Sequence, residues 1–215
     1  MNFGEMQTEV NRILEENEVN PVIYTGAEIK NALNEAYEEL SDTTEWYERS
    51  VNMELTADKM YYNMRVQVPE DFLAFRRAFN VQTNQWLCPT SYKELDGHTR
   101  NWQTNTGEPQ YSMLRGMYWL GLWPVPDTTG SFIKVYYTAM PVALTDDTDE
   151  PVIPREYHHG LTEYAAADLL AIAGETKKAL YRFSEYARWE ERFKQYVNSR
   201  MSRDRIGGYS GDYLG

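Results

Sequence analysis

The hydrophobic period changes twice along this chain, and that change constrains its fold more than any motif does. Residues 1–50 carry two helix-patterned segments, residues 51–145 carry short strand-patterned ones, and helix patterns resume over 146–205. A helical domain interrupted in this way needs its first and last thirds to close one core together. The expected class is α+β. A four-helix bundle, with two helices from each end, is interrupted by an antiparallel β-sandwich or barrel-like insertion, and an extended tail follows over 206–215.

The helical segments are marked by their apolar stripes. Phe3, Met6, Val10, Ile13 and Leu14 share one face of the first, and Asn20-Pro21 breaks it. In the second, Thr25 and Glu28 have capping-box spacing, and Ile29, Ala32, Leu33, Ala36, Tyr37 and Leu40 form the stripe. Glu35, Glu38, Glu39 and Asp42 load the opposite face with negative charge, which is a solvated face or a contact with another subunit. Pro154 suits the first turn of a third helix, along which Tyr157, Leu161, Tyr164, Ala165, Leu169 and Ile172 recur, and Gly174 stops it. A fourth is expected from Thr176 to Ser202 with Leu180, Phe183, Ala187, Phe193 and Val197 buried. Its surface is basic, including Arg188, Arg192, Lys194, Arg203 and Arg205, so the chain is acidic at its start and basic at its end.

In the middle, Met60–Val66 alternates in strand fashion and Val68–Phe72 reads as a turn into a further element. Thr83-Asn84 and Arg115-Gly116 punctuate two hairpins, Pro124 ends a strand, and Phe132–Tyr137 forms the last one. The polar stretch Ser91–Glu108, with His98, Arg100 and Trp102, reads as a long functional or interfacial loop. The glycine- and tyrosine-containing end, Ile206–Gly215, reads as a docking peptide or an unused tail.

Composition narrows the function classes. The formal charge is −12 and the pI about 4.8, so the chain as a whole repels duplex DNA and anionic lipid. The basic last helix is expected to pair with acidic helix faces, because no insertion aromatic is interleaved with basic residues as a stacking platform requires. A single cysteine, Cys88, excludes an internal disulfide and every multi-cysteine zinc pattern. No apolar run reaches the length of a membrane span, and MNFGEMQTEV lacks the basic start and apolar core of a signal peptide. The 17 tyrosines and 6 tryptophans suit either interfaces or the filling of strands.

Chemical motifs are lacking. His158 and His159 are helix neighbours pointing about 100° apart and do not readily share one ion, so a polar helix start is the expected reading. Neither a nucleophile elbow nor a phosphate-binding glycine loop is present, and the paired carboxylates are those any acidic chain contains. No cofactor, no metal and no catalysis are expected.

Several segments taken in order resemble the head–tail adaptor (connector) proteins of tailed bacteriophages, in their longer form with a β insertion. They are Thr25–Leu40, V-P-E-D-F-L-A-F-R-R at Val68–Arg77, Gly121–Pro126, Val135–Tyr137, P-V-I-P-R-E-Y-H-H-G-L at Pro151–Leu161, and the paired C-terminal helices. The resemblance implies a structural virion protein made in the host cytoplasm. It forms a ring, commonly of twelve subunits, that joins the portal at the capsid vertex to the next tail or neck component and continues the DNA channel. Carried onto this chain, Arg203, Arg205, Ile206, Tyr209, Tyr213 and Leu214 would dock on the portal, and His98, Arg100 and Trp102 would face the tail. Glu35, Glu38 and Glu39 would meet Arg188, Arg192 or Lys194 of a neighbour. DNA would pass without specific binding, and no membrane is involved. Two other readings fit the composition: a tail-completion or tail-tube protein, and a glycan-binding β module using Trp86, Trp102, Trp119 and Trp123.

Overall fold

The computed structural model describes residues 1–15, 23–98 and 100–206, with the backbone alone at 98 and 201–206. The chain divides into two compact units, one of Met1–Trp46 with the described part of Pro141–Gly215, the other of Tyr47–Met140.

The first unit holds four long helices: α1 (Phe3–Leu14), α2 (Gly26–Thr44), α5 (His158–Ile172) and α6 (Thr176–Ile206). Two capping boxes start the first pair, Asn2 with Glu5 and Thr25 with Glu28, each satisfying otherwise orphaned backbone donors. Phe3, Met6 and Val10 of α1 and the whole predicted stripe of α2 are buried in one cluster with Leu161, Ala165, Leu169, Phe193 and Val197. Burial of Ile29, Leu33 and Leu40 contributes roughly 1.5–3 kcal/mol each. Helix α5 is apolar on nearly all sides, as a helix with neighbours all around must be, and packs against α1, α2 and α6.

The stripe on α6 differs from the expected one. Leu180 is 64 % exposed and Ala187 is also exposed, while Ala179, Tyr186, Phe193 and Val197 face inward. Helices α5 and α6 approach so closely that a Cβ on Gly160 would lie 3.0 Å from that of Trp189. Ala179, Tyr186, Phe193 and Val197 share one face of α6, and Leu180 and Ala187 lie on the adjacent face. Ile172, expected inside, is exposed as well.

The return of the chain to this unit is clamped by α2. The Asn34 side chain donates to the Leu144 carbonyl at 3.0 Å and accepts from the Leu144 N–H at 2.8 Å. The Tyr37 hydroxyl accepts from the Val152 N–H at 2.9 Å. The acidic segment Thr145–Glu150 is tied to the first two helices. The Asp147 and Asp149 carbonyls accept from the Gly4 and Phe3 N–H groups at the start of α1, and the Asp147 carboxylate pairs with Lys30 at 2.9 Å. Negative charge there meets the positive end of α1.

The second unit contains two four-stranded sheets. One has the order β1 (Glu48–Glu54), β8 (Phe132–Ala139), β3 (Phe72–Asn80), β4 (Gln85–Trp86) and is antiparallel throughout. The other has the order β2 (Tyr61–Asn63), β7 (Trp119–Trp123), β6 (Tyr111–Arg115), β5 (Cys88–Pro89). Both contribute to one cluster, with Met53, Ile133, Val135 and Tyr137 from the first and Tyr62, Leu120 and Leu122 from the second. Both expected hairpins form, and Asn84 and Gly116 adopt the positive φ that their turns require.

Three expectations are corrected here. The β5–β6 pair is parallel, so the insertion is mixed rather than antiparallel. Among the described residues the two sheets remain separate ladders and no closed barrel forms. The Met60–Val66 alternation is strand only at Tyr61–Asn63, because Asn63 then caps a single helical turn, α3 (Met64–Gln67), by accepting from the Arg65 N–H.

Candidate interaction surfaces

Glu35, Glu38 and Glu39 are exposed on α2, and among the described residues no cation pairs with them. Glu35 and Glu39 reinforce the burial that raises the phenol of Tyr164, and Glu39 and Glu190 do the same at Tyr186. The α6 cations are placed differently. Arg188 donates to Glu185 at 2.7 Å, Lys194 donates to Glu190 at 2.7 Å, and the Arg192 guanidinium lies over the Trp189 ring. Arg188 and Lys194 are thus engaged within their own helix, which reduces what a second carboxylate gains from them. Sequence reasoning missed the cation that bridges helices. Arg182 on α6 holds Glu163 on α5 at 3.1–3.2 Å, with both side chains largely covered.

The stretch Ser91–Glu108 is more ordered than expected. It holds α4 (Tyr92–His98) and a 3-10 turn at Trp102–Thr104. Trp102 is buried beside Leu95 and Met113 and half-buried Met60, Tyr92 and Trp123. Its indole donates to Asp96 at 2.7 Å, and its carbonyl accepts from the Trp123 indole at 2.9 Å. Trp102 therefore serves a satellite core over one face of the second sheet and is withdrawn from any contact surface. Arg100 is exposed, and the His98 side chain lies outside the described residues.

His158 is not part of a polar helix start. It is fully buried, with Nε2 at 3.0 Å from the Ile153 carbonyl and Nδ1 at 3.0 Å from the Met1 nitrogen. Burial, reinforced by the charged Met1 amine, lowers its pKa against the hydrogen bonds that raise it. The neighbouring His159 faces Trp189 instead. Among the described residues no group of three or more His, Cys, Asp or Glu side chains is arranged to hold a metal, and no helix is long and apolar enough to cross a membrane.

At the end of the chain, Arg203, Arg205 and Ile206 lie within α6, which runs four residues past the expected Ser202. Tyr209, Tyr213 and Leu214 lie outside the described residues.

The outer face of the first sheet overturns one sequence expectation. Antiparallel register sets Arg77 beside Tyr136 and Phe79 beside both Lys134 and Trp86. The Arg77 guanidinium sits 4.4 Å from the centre of the Trp86 ring and 5.0 Å from that of Tyr136, while Lys134 lies 5.4 Å from Tyr136. Aromatic and basic residues are thus interleaved, but across strands, where a linear scan does not see them. The cation over Trp86 occupies a ring face on which a sugar would stack, and the burial of Trp102 removes a second such face.

Charge is also divided between the units. Tyr47–Met140 contains nine basic and nine acidic residues, so the whole formal charge of −12 belongs to the helical unit.

No curated protein matches the chain. The family model described as SU10 adaptor protein matches residues 1–211, which takes in both helical ends and the β unit between them. The chain belongs to the SU10 adaptor protein family, a family of bacteriophage structural adaptors.

Proposed function

We propose that this protein forms a ring at the head–tail junction of a virion, joining the portal at the capsid vertex to the next tail component and continuing the DNA channel. The four long helices act as the adaptor bundle, and the β unit acts as a sandwich-like insertion that meets the tail side. The observation that carries this reading is the family match, which covers 1–211 in one stretch and so includes both units.

The surfaces support it. The helical unit leaves Glu35, Glu38 and Glu39 exposed, which provides charge for subunit contacts. A helical unit with net charge −12 also suits a conduit wall, because like charge keeps passing DNA from adhering. Arg203, Arg205 and Ile206 at the end of α6, with Tyr209, Tyr213 and Leu214 beyond, form the portal-docking segment of this proposal. Arg100 belongs to the tail-facing side.

The test is direct binding. Purified protein and the portal of the same virus are mixed and separated on a density gradient. Co-migration in a fixed ratio is expected, and separate migration at every ratio contradicts the portal partnership.

A further inference from the structure

The outer faces of the two sheets are treated differently by the fold. The second sheet has α4 and the Trp102 turn laid over it, which hides Met113 and half-covers Trp123. Nothing among the described residues covers the first. Trp86 remains 41 % exposed and Phe132 39 %, at the centre of a patch that includes Arg77, Phe79, Lys134 and Tyr136. Exposed aromatics concentrated on one sheet face mark a contact surface more often than scattered apolar residues do.

The chemistry of the patch is that of an anion receptor. Arg77 is held against two rings, Trp86 and Tyr136, which fixes a guanidinium that would otherwise sample many rotamers. Its carboxylate partner is Glu48 at 3.7 Å, too long for a hydrogen bond, with both side chains substantially exposed. Among the described residues no acceptor lies closer to its donors. Lys134 adds a second positive charge beside Tyr136. The acidic residues at this face are Glu48 and Glu54, both on the outer strand β1.

We infer that this aromatic–cationic platform receives the acidic face of α2, Glu35, Glu38 and Glu39, from a second copy of the chain. Charge complementarity selects that occupant. The α2 carboxylates are exposed and without a cation among the described residues. Of the α6 cations first expected to meet them, Arg188 and Lys194 hold Glu185 and Glu190 at 2.7 Å, and Arg192 lies over the Trp189 ring. The β unit is neutral overall while the helical unit carries −12, so β unit to helical unit escapes the repulsion that opposes helical unit to helical unit, and the attraction comes from Arg77 and Lys134 locally. The inference rests on the ring reading and adds which surfaces meet.

A charge-swap experiment on the full chain tests it. One variant carries Arg77→Glu and Lys134→Glu, the other Glu35→Lys, Glu38→Lys and Glu39→Lys. Each alone presents like charges to itself, whereas their mixture restores opposite charges at every contact. Sedimentation velocity at high protein concentration and low salt is expected to show each variant alone associating on the order of tenfold more weakly than the mixture. Added salt is expected to erase the difference. Association in the mixture also shows that both variants are folded. A mixture that associates no better than its components overturns the inference, whatever the wild-type protein does on a portal. If the wild type instead binds a single-stranded oligonucleotide and Arg77→Glu with Lys134→Glu abolishes that binding, the platform is a nucleic-acid surface and the inference also falls. Failure of the wild type to engage the portal, with the charge-swap result intact, contradicts the functional reading and leaves the surface pairing standing.

Discussion

The Nε2 atom of His158 lies 3.0 Å from the carbonyl oxygen of Ile153, and the ring is fully buried. Its Nδ1 lies 2.8 Å from the Met1 carbonyl oxygen and 3.0 Å from the Met1 nitrogen, so one ring ties the Ile153 and Met1 backbones together. His158→Ala removes the ring and strands the carbonyl, at an expected cost of about 2–4 kcal/mol in chemical denaturation.

The same residue sets a pH dependence. Burial holds the folded imidazole below its ordinary value of 6.5, so the unfolded chain takes up its proton first as pH falls. This contribution is complete above that value, declines as the pH drops through it, and levels off below the folded pKa. Denaturation midpoints between pH 8 and 5 should fall for the wild type and fall less for His158→Gln. Parallel slopes for the two proteins would contradict the assignment.

Gly121 sits in the centre of β7 between Met113 and Tyr61. An added Cβ would lie 2.7 Å from the Met113 Cγ and 3.1 Å from the Tyr61 ring. Met113 is buried in the satellite core and has little room to move. Gly121→Ala is therefore expected to destabilise the protein by roughly 1–3 kcal/mol, although alanine is the less flexible residue in the unfolded chain. Thermal unfolding measures it, and an unchanged or raised melting temperature would contradict the packing described.

Asp71 joins three strands' worth of contacts at the end of the first sheet. One carboxylate oxygen accepts from the buried Tyr137 hydroxyl at 3.2 Å, the other pairs with Arg49, and its carbonyl accepts from the Met140 N–H at 2.7 Å. Burial, then the Asp71 charge, pushes the Tyr137 phenol up to about 12. Asp71→Ala leaves that hydroxyl without its partner and is expected to cost about 1–3 kcal/mol. Asp71→Asn retains an acceptor for the hydroxyl and should recover part of the loss in the same denaturation assay.

Much of the helical unit was legible because local and tertiary demands coincide there. Thr25, Glu28 and the α2 stripe announce the helix from both ends and from its buried face. Stripes were misread where neighbours decide burial. Leu180 is the more apolar residue, yet Ala179 is buried, because it shares one helix face with Tyr186, Phe193 and Val197. Trp102 looked like a loop aromatic because its neighbours in sequence are polar, while its partners Met113 and Trp123 come from other strands. The platform of Arg77, Trp86, Lys134 and Tyr136 arises from the register of three strands, and no window of sequence contains it. His158 was invisible for a related reason, since its partners Ile153 and Met1 are set by the closing of the chain's two ends on one core.

The docking role proposed for 206–215 has a separable outcome. Val197 is the last buried position described on α6, so removal of 206–215 spares every core residue described. The truncated protein is expected to unfold at the wild-type temperature and to lose attachment to the portal. Wild-type attachment after truncation would contradict the role given to Ile206, Tyr209, Tyr213 and Leu214.

Electron microscopy of the protein with and without the portal of the same virus tests most directly whether this adaptor works as a ring on the portal. Rings capping the portal are expected, with the subunit number readable in end-on views and an axial channel in register with that of the portal. Bare portals at saturating protein would contradict it.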